Sequence, residues 1–224
     1  MKPITEHHLA LFRRHMVELI DLQFELASDE IAKDRLDPAL RRALLDVPRH
    51  LFVPQPLILM AYQDTPLPIG FDKTISQPFI CALMIDLLGV EAGSRVLEVG
   101  TGLGYQAAVM AEMGARVWSV EVVEEFAEAA SQRLAALGHD VHVRVGDGSR
   151  GWADHAPYDA ILITAAAAEI PPALIEQLKP GGRMVLPLGG SEVQQLSVVE
   201  KDRSGAVSIR AVLPVRFTRL ETAS

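Results

Sequence analysis

The chain has 224 residues, 49% apolar and 22% charged, which suits one soluble globular protein with a sizeable core. A net charge of −8 and a pI near 5.4 speak against a nucleic-acid binder, which needs a basic face to neutralise phosphates. A single cysteine, Cys81, excludes an internal disulfide; with no membrane-length apolar run and no signal-peptide core near the start, the expected location is cytoplasmic.

Leu9, Phe12, Met16, Leu19 and Ile20 recur at helical spacing and predict a first helix over roughly 5–27. Asp37-Pro38 reads as an N-cap followed by proline at N1, opening a second helix that runs to about Asp46. Val47-Pro48-Arg49-His50-Leu51-Phe52-Val53-Pro54 then reads as a proline-punctuated extended segment, with His50 structural. Residues 61–75 carry too many prolines and turn-formers for a regular element, and a long ordered loop of this kind is usually functional. It leads through Thr74-Ile75-Ser76-Gln77-Pro78 into a helix with a buried stripe of Phe79, Ile80, Leu83, Met84, Leu87 and Leu88, off which Cys81 falls. A division into a helical segment 1–60 and a domain 61–224, with a substrate loop at 61–78, follows from this pattern.

From Arg95 onward the units alternate strand and helix. Val96, Leu97 and Val99 form a short apolar run of the kind that a strand buried on both faces requires. The run breaks into Gly100-Thr101-Gly102-Leu103-Gly104, and Gln106–Met113 is helix-forming up to Gly114. Strand, glycine loop and helix bring backbone close to a nucleotide-like ligand. The dinucleotide fingerprint wants its third glycine at position 105, where this chain has Tyr105, and the acid Glu98 precedes the first glycine by two residues. A carboxylate ~7 Å from a pyrophosphate would cost ~2 kcal/mol at an effective dielectric near 20. S-adenosylmethionine has no phosphate and carries a sulfonium cation, so the acidic strand end suits it. Glu121 ends the next strand and is placed to accept both ribose hydroxyls; Asp147-Gly148 follows a third strand, Val141–Val145, and would border the adenine.

Further on, a crossover helix spans Glu124–Leu137, a fourth strand Asp159–Thr164, a helix Ile170–Leu178 and a fifth strand Arg183–Leu188. Gln194–Glu200 and Ala206–Leu213 flank Arg203-Ser204-Gly205 and read as a hairpin. The expected fold is α/β, a doubly wound and mostly parallel Rossmann-like class I methyltransferase sheet with a C-terminal antiparallel hairpin and N-terminal helices. No metal-ligand pattern occurs among the seven histidines.

From about Val47 to Leu220 the chain resembles the protein-L-isoaspartate O-methyltransferases. The resemblance is carried by Val47–Val53, Leu67-Pro68-Ile69-Gly70, Thr74–Pro78, Leu97–Gly102, Gly146-Asp147-Gly148, Ala156–Ile161, Leu178–Arg183 and Val215-Arg216-Phe217. It departs at Lys73, Leu103, Thr218 and Arg219. The resemblance implies methyl transfer from S-adenosylmethionine to the free α-carboxylate of an isoaspartyl residue in damaged proteins and peptides, with collapse of the ester to a succinimide and no metal. It implies Ser76 as the active-site residue, and Thr74, Ile75, Ala165, Ala166 and Arg216 beside the substrate. It also implies Glu98, Val99, Gly100, Thr101, Gly102, Gly104, Glu121, Asp147 and Gly148 around the cofactor. No membrane or nucleic-acid partner is implied, and the expected state is a monomer or weak oligomer.

A carboxylate is ionised at neutral pH, so this chemistry needs no general base and no covalent nucleophile. Ser76 is then an orienting donor, but its place before Pro78 suits a helix N-cap equally well, and free amides at that helix start would also favour an anion. Other readings are methylation of an aspartate in a dedicated peptide precursor or of a small-molecule acid, and a non-catalytic adenosylmethionine-binding protein. A nicotinamide oxidoreductase is opposed by Tyr105 and Glu98.

Overall fold

A computed structural model describes residues 4–190 and 192–222. Three helices come first: α1 (Glu6–Leu26), α2 (Ser28–Ile31) and α3 (Pro38–Asp46). The α1 stripe of Leu9, Met16, Val17, Ile20 and Phe24 is buried. Asp37 caps α3 as its sequence predicts, its carboxylate accepting from the amides of Ala39 at 2.8 Å and Leu40 at 3.1 Å. The Val47–Pro54 stretch is not extended: Arg49–Phe52 and Gln55–Met60 are 3₁₀ turns, each entered from a proline.

The segment expected to lack regular structure holds a two-stranded hairpin, β1 (Leu67–Gly70) and β2 (Lys73–Ile75). Its turn, Gly70-Phe71-Asp72, has three successive positive φ angles of 106°, 49° and 55°. Phe71, an unfavoured residue there, packs edge-on against Phe126 at 5.2 Å. Helix α4 (Pro78–Leu88) is buried on nearly every side rather than along one stripe, because α1 and α3 cover the face that would otherwise meet water. Cys81 is therefore core, 1% exposed, and burial pushes its thiol pKa up.

The remaining elements are β3 (Arg95–Val99), α5 (Tyr105–Glu112), β4 (Arg116–Glu121), α6 (Glu124–Ala136), β5 (Val141–Val145), β6 (Tyr158–Ile163), α7 (Pro172–Gln177), β7 (Leu178–Gly189), β8 (Gln194–Lys201) and β9 (Val207–Val215). The seven-stranded sheet runs β5-β4-β3-β6-β7-β8-β9. Its first five strands are parallel, and β8 and β9 are the expected antiparallel pair. Helix α7 is shorter than expected because Pro171 and Pro172 set its start. One apolar layer joins α1, α3, α4 and α5 to one face of the sheet, while Leu97, Trp118, Ile161 and Met184 lead the layer on the other face. Chain order reverses direction across the sheet between β3 and β6, so a crevice opens beyond their carboxyl ends.

Asp64 ties the hairpin segment to this frame. One carboxylate oxygen accepts from the Phe79 amide at 3.2 Å, and the other accepts from the side-chain amides of Gln23 and Gln77, each at 2.7 Å. Asp64→Ala should lower the unfolding free energy by about 2–4 kcal/mol, since one change strips a partly buried charge from three donors. Denaturant unfolding measures this, and an unchanged midpoint would show that the three bonds are marginal.

Candidate active site

The glycine turn after β3 is built by close approach. A Cβ on Gly100, whose φ is +92°, would lie 2.3 Å from the Thr164 hydroxyl, and one on Gly148 would lie 2.3 Å from a Val99 methyl. Thr164 locks the turn: its amide donates to the Val99 carbonyl at 2.9 Å and its hydroxyl to the Gly100 carbonyl at 2.7 Å. Backbone thus forms the cavity floor.

Three cavities meet there. The first is lined by Val99, Gly100, Gly102, Glu121, Gly148 and Ala165, with Val120, Val122 and Phe126 as an apolar wall. The second is a chamber bounded by Ile75, Ser76, Glu98, Thr101, Leu103, Tyr105 and Gln106. The third is a groove between Ser76, Gln77 and Ile80 on one side and Pro214, Val215, Arg216 and Phe217 on the other. Thr74 and Thr164 line all three.

Glu121 Oε2 accepts from the Gly102 amide at 2.8 Å and Oε1 from the Val123 amide at 3.0 Å, which fixes the carboxylate at the lip of the first cavity. Glu98 is 1% exposed in the chamber wall. Ser119 donates its only hydroxyl proton to Glu98 Oε2 at 2.5 Å, so Thr101 must be the donor in its 2.6 Å bond to Ser119. Burial pushes the Glu98 pKa up to about 8; the Ser119 bond opposes that rise and the Glu121 charge reinforces it. In the chamber wall, the Tyr105 hydroxyl and the Gln106 amide nitrogen are buried without partners among the described residues.

Several sequence-named residues lie elsewhere. Asp147 turns its carboxylate inward, accepting from the Ser149 amide and hydroxyl and standing 3.6 Å from Arg150, so Gly148 rather than Asp147 lines the cavity. Gly104 is the N-cap of α5 and packs on Leu134. Ala166 exchanges backbone bonds with Thr218 and Leu220, which draws the C-terminal segment in as a wall. The N-cap of α4 is Gln77, not Ser76. At the helix start, Asp64 already accepts from the Phe79 amide. Sequence reasoning missed Thr164, Gln106 and Phe126, none of which belongs to a motif. It also missed the Lys73–Glu221 ion pair at the first cavity's mouth, whose partners lie 148 residues apart.

The Glu98 shift gives a pH test. The folded chain holds a proton that the unfolded chain releases near its ordinary value of 4.5. This stabilisation is complete below that value and is lost as pH rises toward about 8. Relative to Glu98→Gln, the ligand-free protein should lose stability between pH 5 and 8, with a slope of order 1 kcal/mol per pH unit. Parallel stability curves for the two proteins would contradict the buried, proton-holding carboxyl.

The family model described as Protein-L-isoaspartate(D-aspartate) O-methyltransferase matches residues 24–224. A Polaromonas protein named Protein-L-isoaspartate O-methyltransferase 1 is 51% identical over 221 residues, covering 98% of this chain and 94% of that relative. A Syntrophobacter fumaroxidans protein named Protein-L-isoaspartate O-methyltransferase 2 is 52% identical over 210 residues, covering 93% of this chain and 85% of that relative. A solved protein-L-isoaspartate O-methyltransferase superposes with a TM-score of 0.80 at 29% identity, over 95% of this chain and 66% of that one. A Plasmodium falciparum structure in complex with S-adenosyl-L-homocysteine shares the fold at a TM-score of 0.78 and 22% identity, covering 94% of this chain and 99% of that one. On the family match and these identities, the chain belongs to the protein-L-isoaspartate O-methyltransferase family.

Proposed function

We infer that the three cavities divide one carboxyl methyl transfer among them: the first and the chamber take the cofactor, and the groove takes the damaged peptide. The chain is an S-adenosylmethionine-dependent methyltransferase that acts on isoaspartyl residues and so begins their repair. The observation that carries the division of labour is the shared boundary: Thr74 and Thr164 line all three spaces.

The cradle fits the cofactor's shape and charge. The glycine floor has no room for side chains, Glu121 stands where ribose hydroxyls would need an acceptor, and Val122 and Phe126 offer apolar surface to a planar base. When bound, S-adenosylmethionine supplies a methyl group made transferable by its sulfonium charge. A cation in the chamber would favour the ionised form of Glu98, which is otherwise held protonated by burial, and the buried Gln106 amide, unpartnered among the described residues, is a donor for a carboxylate.

Catalysis by the protein's own groups is mainly placement. Two reacting groups held in line can gain up to roughly 7–11 kcal/mol from proximity alone. In this reading the Ser76 hydroxyl donates to the substrate carboxylate and orients it, while Thr74 and Ile75 form the wall beside it. Arg216, exposed at the groove, offers a counter-charge to the acidic peptide, and Ala165 and Ala166 complete the wall. The net charge of −8 and the buried free thiol of Cys81 support a cytoplasmic protein without nucleic-acid partners. Among the described residues no helix is long and apolar enough to cross a membrane.

Ser76→Ala removes one charge-assisted bond, about 1.5–3 kcal/mol, which corresponds to roughly a 10- to 150-fold loss in kcat/KM. Because Gln77 rather than Ser76 occupies the cap position, stability should change by less than about 0.5 kcal/mol. The assay is methylation of a synthetic isoaspartyl peptide beside its normal aspartyl twin, with denaturant unfolding of the same variant. Near-normal turnover, or equal methylation of the twin, would sink the assignment.

A further inference from the structure

The Val47-Pro48-Arg49-His50 segment takes no part in the chemistry above, yet it carries a fully buried cation. Arg49 is 0% exposed, and its fork is spent on backbone carbonyls. Nε donates to the Ala61 carbonyl at 2.8 Å and Nη2 to the Ser76 carbonyl at 2.6 Å. The remaining nitrogen, Nη1, faces the Cys81 sulfur at 3.8 Å, and the guanidinium lies 4.9 Å over the Tyr105 ring.

Those carbonyls mark the two ends of the segment that contains the β1–β2 hairpin and supplies Ile69, Thr74, Ile75 and Ser76 to the cavities. A planar fork joins two acceptors at a fixed angle, which a lysine's single ammonium on a flexible stem cannot reproduce. The Ser76 hydroxyl does not cap α4, and the carbonyl of the same residue is the one that Arg49 holds.

We propose that Arg49 is a positioning residue for the methyl transfer: it pins both ends of segment 61–76 and, through the Ser76 carbonyl, aims the Ser76 hydroxyl at the substrate carboxylate. This rests on the reading of Ser76 given above, and the test separates the two.

The experiment is a double-mutant cycle of R49K and S76A, with isoaspartyl-peptide kinetics and calorimetric S-adenosylmethionine affinity for all four enzymes. R49K should lose at least tenfold in kcat/KM, mostly in kcat, with cofactor affinity within threefold of wild type. In the R49K background, S76A should cost less than a further threefold, because the hydroxyl is already misdirected. Effects that multiply in the double mutant, or an R49K enzyme within threefold of wild type, would overturn the inference and leave the Ser76 role standing. An S76A enzyme with wild-type turnover would sink the Ser76 role itself, and this inference with it. If R49K does not fold, the neutral R49Q carries the same cycle. Failure of both variants to fold overturns the inference, since Arg49 would then serve the stability of the whole core rather than one hydroxyl.

Discussion

Between the carboxyl end of β3 and the chains on either side of it there is no room for a methyl group. Gly100 meets Thr164 on one side, and Gly148 meets Val99 on the other. That exclusion makes the cavity floor of backbone alone, with amides and carbonyls already committed to Thr164 and Glu121. Charged side chains stand beside that floor, Glu121 at the lip of the first cavity and Glu98 buried in the chamber wall. A larger residue at either glycine would have to displace Thr164 or Val99.

The acids around this floor differ in what surrounds them, and so in what they can do. Glu121 is held by two amides and remains available to accept at the cavity's edge. Glu98 is buried with one hydroxyl donor, and carries a cost that a cation in the chamber would relieve. Asp64 and Asp147 are consumed by the fold, one at the start of α4 and the other in its own turn. The same residue type is thus left available at a cavity edge, buried at a cost, or consumed by the fold, according to the donors within reach.

Much of this was legible in the chain. Apolar runs and glycine punctuation gave the parallel strands, and Asp37-Pro38 gave the start of α3, because those signals are local. The hairpin at 67–75 was not legible, since its turn depends on Phe71 accepting a left-handed conformation that contact with Phe126, 55 residues away, supports. The all-round burial of α4 escaped periodicity for a related reason: α1 and α3 cover a face that the sequence alone leaves open. Of the residues that line the cavities, Gly100 and Gly102 fall in the glycine loop that spacing marks. Thr164 and Gln106 carry no such signal, because only the folded sheet brings Thr164 onto the Gly100 carbonyl and Gln106 into the chamber wall.

The central claim is that cofactor and substrate carboxylate meet at the junction of Thr74, Ser76 and Thr164. A crystal structure with S-adenosyl-L-homocysteine and an isoaspartyl peptide tests it most directly. The account predicts ribose hydroxyls on Glu121, the sulfur facing the chamber beside Glu98, and the peptide carboxylate within hydrogen-bonding distance of the Ser76 hydroxyl. A carboxylate bound away from Ser76, or a ribose that does not touch Glu121, would contradict it.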